Sequence, residues 1–339
     1  MTNATARPTP TNAASSGVVI DRKLGKQLMQ RSDRPGLIWL GQWIALLIAT
    51  GYLLYLSAGS FWFTPMLIIH GCAIAVPAYA LSHECAHGTA FRTRWLNETL
   101  FWISSLIYYE EPYYRRYAHA RHHTYTWING LDAQMPFATP MTFRGWLLET
   151  SGIGYFIHVT RIMVANACGR FSDEVREFTP PGELPKLQWG AWAFLTVYFL
   201  IVMAIILGAD FLFWYFVLPR ILGNPVLFLY TLIQHVDMEE DQLDLRKSTR
   251  SFSTNAFSRF LYMNMNYHIE HHMYPTVPFH ALPALNQAVK DQLPQPDPGF
   301  FVTNYRVLKA IIARSLGKLP MANLGKSITI GDQFREETA

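Results

Sequence analysis

The sequence predicts an all-α, polytopic membrane protein: four transmembrane helices in two hairpins, with a helical cytosolic cap. Three observations lead there. Half of the 339 residues are hydrophobic and only 15% are charged, against roughly 25% in ordinary soluble domains. Four apolar runs, each near the ~20 residues a bilayer crossing needs, fall in two close pairs. The basic residues avoid the tight links between paired runs. A mean hydropathy of only +0.10 requires a large polar portion beside the spans.

The elements follow in order. Residues 1–18 are rich in Thr, Ala, Asn, Ser and Pro. They lack the apolar core of a signal peptide and are expected to be without structure. A basic stretch runs from Arg22 to Arg34. Residues 1–35 are therefore read as a cytosolic, partly disordered segment, 36–300 as the membrane domain and 301–339 as a cytosolic tail. The first pair of spans is Leu37–Ser57 and Phe61–Leu81, joined by Ala58–Gly59–Ser60. The second pair is Trp189–Gly208 and Phe211–Ile233. The last of these holds Pro219, Arg220, Gly223 and Pro225. A helix break opening a polar pocket is one way to accommodate an intramembrane arginine. Two shorter apolar stretches, Phe101–Tyr109 and Ile153–Ala167, are expected to lie along the interface.

Charge fixes the orientation. Residues 1–36 carry six Lys or Arg, 82–188 carry ten and 235–339 carry eleven, while the links at Gly59 and Asp210 carry none. The positive-inside rule places both termini and the middle segment in the cytoplasm. The net charge of +4 is modest, and no basic tract points to nucleic acid. Cys72, Cys85 and Cys168 stand alone, which excludes a zinc ribbon or iron–sulfur cluster of the usual spacing.

Eight of the twelve histidines fall in three clusters. His83 and His87 stand at i and i+4 just past the second span. His119, His122 and His123 follow the i, i+3, i+4 spacing, as do His268, His271 and His272. Such spacing puts the rings on one helical face. The first cluster alone also fits an HExxH zinc protease, using His83, Glu84 and His87. Eight imidazoles exceed one tetrahedral zinc and suit two metals, although imidazole also serves iron, copper, zinc and nickel. His235, at the cytoplasmic end of the fourth span, is a ninth candidate ligand. His70, His158 and His280 read as packed or surface residues. A metal transporter would want ligands near the bilayer midplane, where only His70 lies.

The strings HECAHGTAF, HARHHTYT and NMNYHIEHHMYPTVP resemble the three histidine boxes of the membrane fatty-acid desaturase and hydroxylase superfamily. The resemblance covers roughly residues 35–300. The run from Pro278 to Pro283 looks closest to a bacterial branch that includes rhizopine-oxygenase-like proteins. The resemblance implies a di-iron centre held by His83, His87, His119, His122, His123, His235, His268, His271 and His272, with O₂ as co-substrate. It implies desaturation of a fatty-acyl chain; hydroxylation or oxidative demethylation of a lipid or small molecule is the alternative. Many relatives have Asp-Pro-Glu after the second box; here Asp132–Ala133–Gln134 stands instead, which leaves Asp132 available to support a ligand. Glu84 and Glu270, inside the boxes, are expected to accept N–H bonds from ligand rings, with Glu110, Glu111 and Asp132 as further candidates. The chain carries no redox carrier of its own, so a ferredoxin- or cytochrome-type donor is expected to dock near Arg115, Arg116 and Arg121.

Overall fold

A computed structural model describes residues 11–319 apart from Pro136 and Ala138. Residues 1–10 of the N-terminal segment and 320–339 of the tail lie outside the described residues. The described chain is helical, with one isolated bridge between Phe252 and Asp297. The helices are α1 (Arg22–Leu28), α2 (Asp33–Leu56), α3 (Phe63–His87), α4 (Arg94–Tyr108), α5 (Pro112–Thr124), α6 (Phe143–Thr150), α7 (Ile153–Ala167), α8 (Asp173–Phe178) and α9 (Leu184–Ile206). A segmented fourth span follows: α10 (Asp210–Leu212), a π turn (Phe213–Val217), α11 (Leu218–Leu222) and α12 (Asn224–Leu232). The remainder comprises α13 (Leu245–Ser248), α14 (Ala256–Leu261), α15 (His268–Met273), α16 (Leu282–Val289) and α17 (Phe300–Ser315).

Among the described residues, four helical stretches are long and apolar enough to cross a membrane: Asp33–Leu56, Phe63–His87, Pro181–Ile206 and Asp210–Leu232. They match the four expected runs. The outer ones expose apolar side chains such as Ile44, Ile48 and Leu53 on α2 and Phe199, Val202 and Ile206 on α9. That exposure suits lipid contact and would be costly in water. The inner helix is α3, packed against α2, α4, α11 and α12. It continues six residues past the expected end of the run, to His87. Gly88, at φ 66°, ends it in the left-handed conformation that glycine tolerates. The first histidine cluster therefore rides on the most enclosed helix. Helices α4 and α7 have 15 residues each, about 22 Å, which is too short to cross.

The irregular fourth span has a specific arrangement rather than an open polar pocket. Pro219 has no N–H, so the carbonyl of Tyr215 lacks its usual helical donor. His70 supplies one, with Nε2 3.1 Å from Tyr215 O. Because that carbonyl only accepts, Nδ1 of the neutral ring accepts from Thr50 Oγ1 at 2.8 Å. Gly71 and Gly223 let the two backbones touch. A Cβ on Gly71 would stand 2.1 Å from Pro219 O, and one on Gly223 2.1 Å from Gly71 O. Arg220 reaches across to α4, donating to Ile107 O and Tyr108 O at 2.7 Å each and to Asn224 Oδ1. The two backbone oxygens are last-turn carbonyls of α4 that no helical N–H can satisfy. The intramembrane charge is thus a helix cap.

The capped end of α4 leads into the second histidine helix. Tyr109 turns the chain at φ 78°. Glu111 then caps α5, accepting from the N–H groups of Tyr113 (3.0 Å) and Tyr114 (2.7 Å), and Pro112 takes the N1 position where its missing N–H costs nothing. Gly190 makes room for this carboxyl, because a Cβ there would lie 1.9 Å from Glu111 Oε1.

Residues 11–18, expected to be without structure, are packed. Thr11 N donates to Thr124 O at 2.8 Å, and Thr126 N donates to Thr11 Oγ1. Ser16 Oγ accepts from Leu245 N, and Val18 is buried with Leu28, Ile269 and Met273. Composition missed this because the anchoring contacts are made to residues more than a hundred positions away.

Candidate metal centre

Four segments bring nine histidines together. His83 and His87 come from the last turn of α3, His119, His122 and His123 from α5, and His268, His271 and His272 from α15. His235 lies three residues beyond α12. All are buried except His87, which is half-buried. Arg250 locks the segment carrying His235: its N–H groups reach Ile233 O and Val236 O (3.0 Å), and Nε pairs with Asp297 at 2.7 Å.

The rings form two groups. His83, His87, His119, His123 and His271 make one; His122, His235, His268 and His272 make the other. In each, one ring nitrogen per residue lies within 4.8 Å of all the rest. Helix geometry explains the split. At about 100° per residue, positions i and i+4 are about 40° apart, whereas i+3 lies about 60° to the other side. His119 and His123 therefore share a group, and so do His268 and His272. His122 and His271 cross to the opposite ones.

Nε2 atoms face each other within these groups. His83 and His271 are 2.7 Å apart, His87 and His119 2.9 Å, His119 and His123 3.1 Å. In the second group His268 Nε2 is 3.0 Å from both His235 and His272. A neutral imidazole has one N–H, so five or four converging nitrogens cannot all be satisfied by one another. Burial and the neighbouring rings push the pKa values of His119, His123, His268, His271 and His272 well below the ordinary range, and His235 down to about 3. Neutral, convergent, nitrogen-only donors are the form a transition metal accepts. Five plus four donors fit two ions.

The other ring nitrogens are held from outside. His122 Nδ1 donates to Asp132, 2.8 and 2.9 Å from its two oxygens. His119 Nδ1 donates to Gln134 Oε1 at 3.0 Å, and His235 Nδ1 to Ser248 O at 2.9 Å. His272 Nδ1 is 2.9 Å from Thr126 Oγ1. These contacts fix which nitrogen faces inward. The carboxylates inside the boxes do otherwise. Glu84 accepts from Thr89 Oγ1 (2.7 Å) and Phe279 N, and Glu270 from Ser251 Oγ (2.6 Å) and Asn286 Nδ2. Each stands one residue from a ligand-candidate histidine, hence about 100° around the helix. Glu84 so placed does not fit the role of a protease base. Glu110 is paired with Arg115 at 2.7 Å, and Glu111 is a helix cap.

The arginines expected to receive a donor protein are engaged internally. Arg115 is buried, its guanidinium over the rings of Tyr79 and Tyr108. Arg116 pairs with Glu98, and Arg121 with Glu177.

A cavity of about 130 Å³ adjoins both groups. His83 and His119 line it from one group, and His122, His235 and His268 from the other. Its remaining wall includes Tyr79, Tyr108, Tyr155 and Phe228, and also Glu149 and His158. His158 is thus on the cavity, where the sequence suggested a packed residue, and Glu149 was not singled out at all. Neither sits in a motif; only the packing of α6 and α7 brings them there. His70 and His280 belong to neither ring group.

A search among curated proteins returns no match. Residues 69–304, spanning all three clusters and His235, match the fatty acid desaturase family. With well over half of its length matched, and with this helical frame and these histidines, the chain belongs to the fatty acid desaturase family.

Proposed function

We propose that the chain is an O₂-dependent membrane oxidoreductase that holds two iron ions on nine histidines and inserts a double bond into a fatty-acyl chain. The carrying observation is the convergence of five and four buried imidazoles beside one aromatic-walled cavity. His83, His87, His119, His123 and His271 hold one ion; His122, His235, His268 and His272 hold the other. Bound iron supplies the redox chemistry, reduction of O₂ coupled to hydrogen removal from an unactivated carbon. The protein's residues bind and orient. Asp132, Gln134, Ser248 and Thr126 keep four rings facing inward, and Tyr79, Tyr108 and Phe228 exclude water from the reacting segment.

The balance requires a partner. Conversion of –CH₂–CH₂– to –CH=CH– with reduction of one O₂ to two waters consumes two further electrons and two protons. The three cysteines are free and scattered, so the electrons come from a ferredoxin- or cytochrome-type donor. Both termini and the centre face the cytoplasm in this reading.

A second reading, hydroxylation or oxidative demethylation of a lipid or smaller molecule, is favoured by the cavity's size. A cavity of roughly 150 Å³ holds a benzene-sized guest, close to the 130 Å³ here. The experiment is reconstitution with reductase, ferredoxin and an acyl substrate, read by mass spectrometry. Loss of two mass units supports desaturation, and a gain of sixteen supports hydroxylation. Full turnover by a zinc-filled or metal-free protein would remove both readings.

A further inference from the structure

We propose that Glu149 recognises the substrate, its carboxyl receiving a hydrogen-bond-donating group, an amine or a hydroxyl, carried by the part that enters the cavity. The inference rests on the reading that the cavity beside the histidines is the substrate site.

Glu149 is 8% exposed and lines the cavity. Among the described residues its carboxyl makes no side-chain hydrogen bond and no ion pair, unlike Glu84, Glu110, Glu111 and Glu270, each of which has partners. Burial is the one influence on its proton affinity, and it raises it. Its oxygens are not sealed from solvent, but a polar group that loses its water and gains no partner is costly, and native proteins hold few of them. A hydrocarbon guest would strip away that water and impose the cost. A donor group on the guest removes it. His158 lies on the same wall and likewise has no side-chain hydrogen bond among the described residues, so a second polar contact is on offer nearby.

The site is also shaped for the carboxyl. Glu149 sits in the last turn of α6, and its Oε1 rests against Gly154 in the first turn of α7. A Cβ on Gly154 would stand 2.6 Å from that oxygen. Any side chain there would displace the carboxyl. The cavity of about 130 Å³ has room for a compact segment that carries such a group.

The test uses the full chain, metal-loaded, in phosphatidylcholine nanodiscs. Binding of cyclohexylamine, cyclohexanol and methylcyclohexane, three guests of similar size, is measured by titration. The wild type is expected to bind the amine and the alcohol at least tenfold more tightly than the hydrocarbon. Glu149→Gln should lose the advantage of the amine and keep that of the alcohol. Glu149→Leu should invert the order. Gly154→Ala, which leaves the carboxyl in the chain but moves it, should weaken amine binding and covers the case in which a Glu149 variant does not fold. Equal affinities for all three guests in the wild type, or an unchanged order in Glu149→Leu, overturns the proposal. Because binding is read without turnover, failure here leaves the oxidative reading standing, and failure of turnover leaves this one standing.

Discussion

Nδ1 of His122 lies 2.8 and 2.9 Å from the two carboxylate oxygens of Asp132, whereas its neighbour His119 meets the neutral amide oxygen of Gln134 at 3.0 Å. The two ring groups therefore differ in what stands behind them. Asp132 is itself pinned by the N–H groups of Trp127 and Gln134, each at 2.8 Å. Removing such an outer partner typically costs about 10–100-fold in metal affinity. Asp132→Ala is expected to lower affinity at the four-histidine group by that factor and leave the five-histidine group nearly full. Metal analysis after graded chelation checks this. Equal loss from both groups would refute the assignment.

A prediction of fold concerns Gly71. The backbones of α3 and α11 touch there, and the atom a new Cβ would meet, at 2.1 Å, is a carbonyl rather than a movable side chain. Gly71→Ala should destabilise the protein by about 1–3 kcal/mol, the usual cost of overpacking. Thermal unfolding in detergent measures it. Gly41→Ala, with open space around the site, should show no loss and serves as the control.

Hydrophobic runs and histidine spacing made the spans and eight ring positions legible from the amino-acid sequence. Spacings of three and four residues decide which side chains share a helical face, and the apolar runs set the depth of His235. The division into groups of five and four was legible in principle, because the 40° and 60° offsets separate His122 from His119 and His123. The supporting carboxylate was legible only in part: Asp132 stood among the candidates, but Glu84 and Glu270, inside the boxes, ranked ahead of it. Glu84 and Glu270 are close to ligands in sequence yet face away, while Asp132 reaches His122 across a ten-residue separation through a loop. Arg115 likewise reads as surface charge from composition, and only packing shows it buried against Tyr79 and Tyr108. The roles of Arg220 and His70 depend on carbonyls freed at a helix end and by Pro219, which no single-helix pattern encodes.

Acid–base behaviour should appear at Glu111. Two backbone N–H groups favour its ionised form, but burial outweighs them and pushes its pKa up to about 8. The unfolded chain ionises near the ordinary value of 4.5. Between these values the folded state binds the proton and the unfolded state does not. Stability from this group is therefore greatest at low pH, falls as pH rises through the window and levels off above about 8. Glu111→Gln keeps an accepting oxygen for one of these two N–H groups without the titration. The melting-temperature difference, variant minus wild type, should grow from pH 5 to pH 8 and then stay constant. A difference that is flat across this range would refute it.

The last prediction concerns where the proposed electron donor lands. Arg115 is buried, and Arg116 and Arg121 are paired with Glu98 and Glu177, so none offers a free charge. Helix α1 does: Arg22, Lys23 and Lys26 are exposed, and Lys290 is exposed at the end of α16. The buried side of this region, Val18, Leu28, Leu282 and Leu285, packs on Ile269 and Met273 of α15, the helix that carries His268, His271 and His272. An acidic donor docked on α1 would stand over the third histidine cluster with little protein between. Steering by opposite charge raises association rates and weakens with salt. Reversing Arg22, Lys23 and Lys26 to Glu should raise the apparent KM for an acidic ferredoxin about tenfold or more, leave metal content unchanged and abolish the salt dependence of the rate. Steady-state kinetics against donor concentration at two ionic strengths decides it. An unchanged KM for the donor, with the salt dependence intact, would place docking elsewhere on the cap.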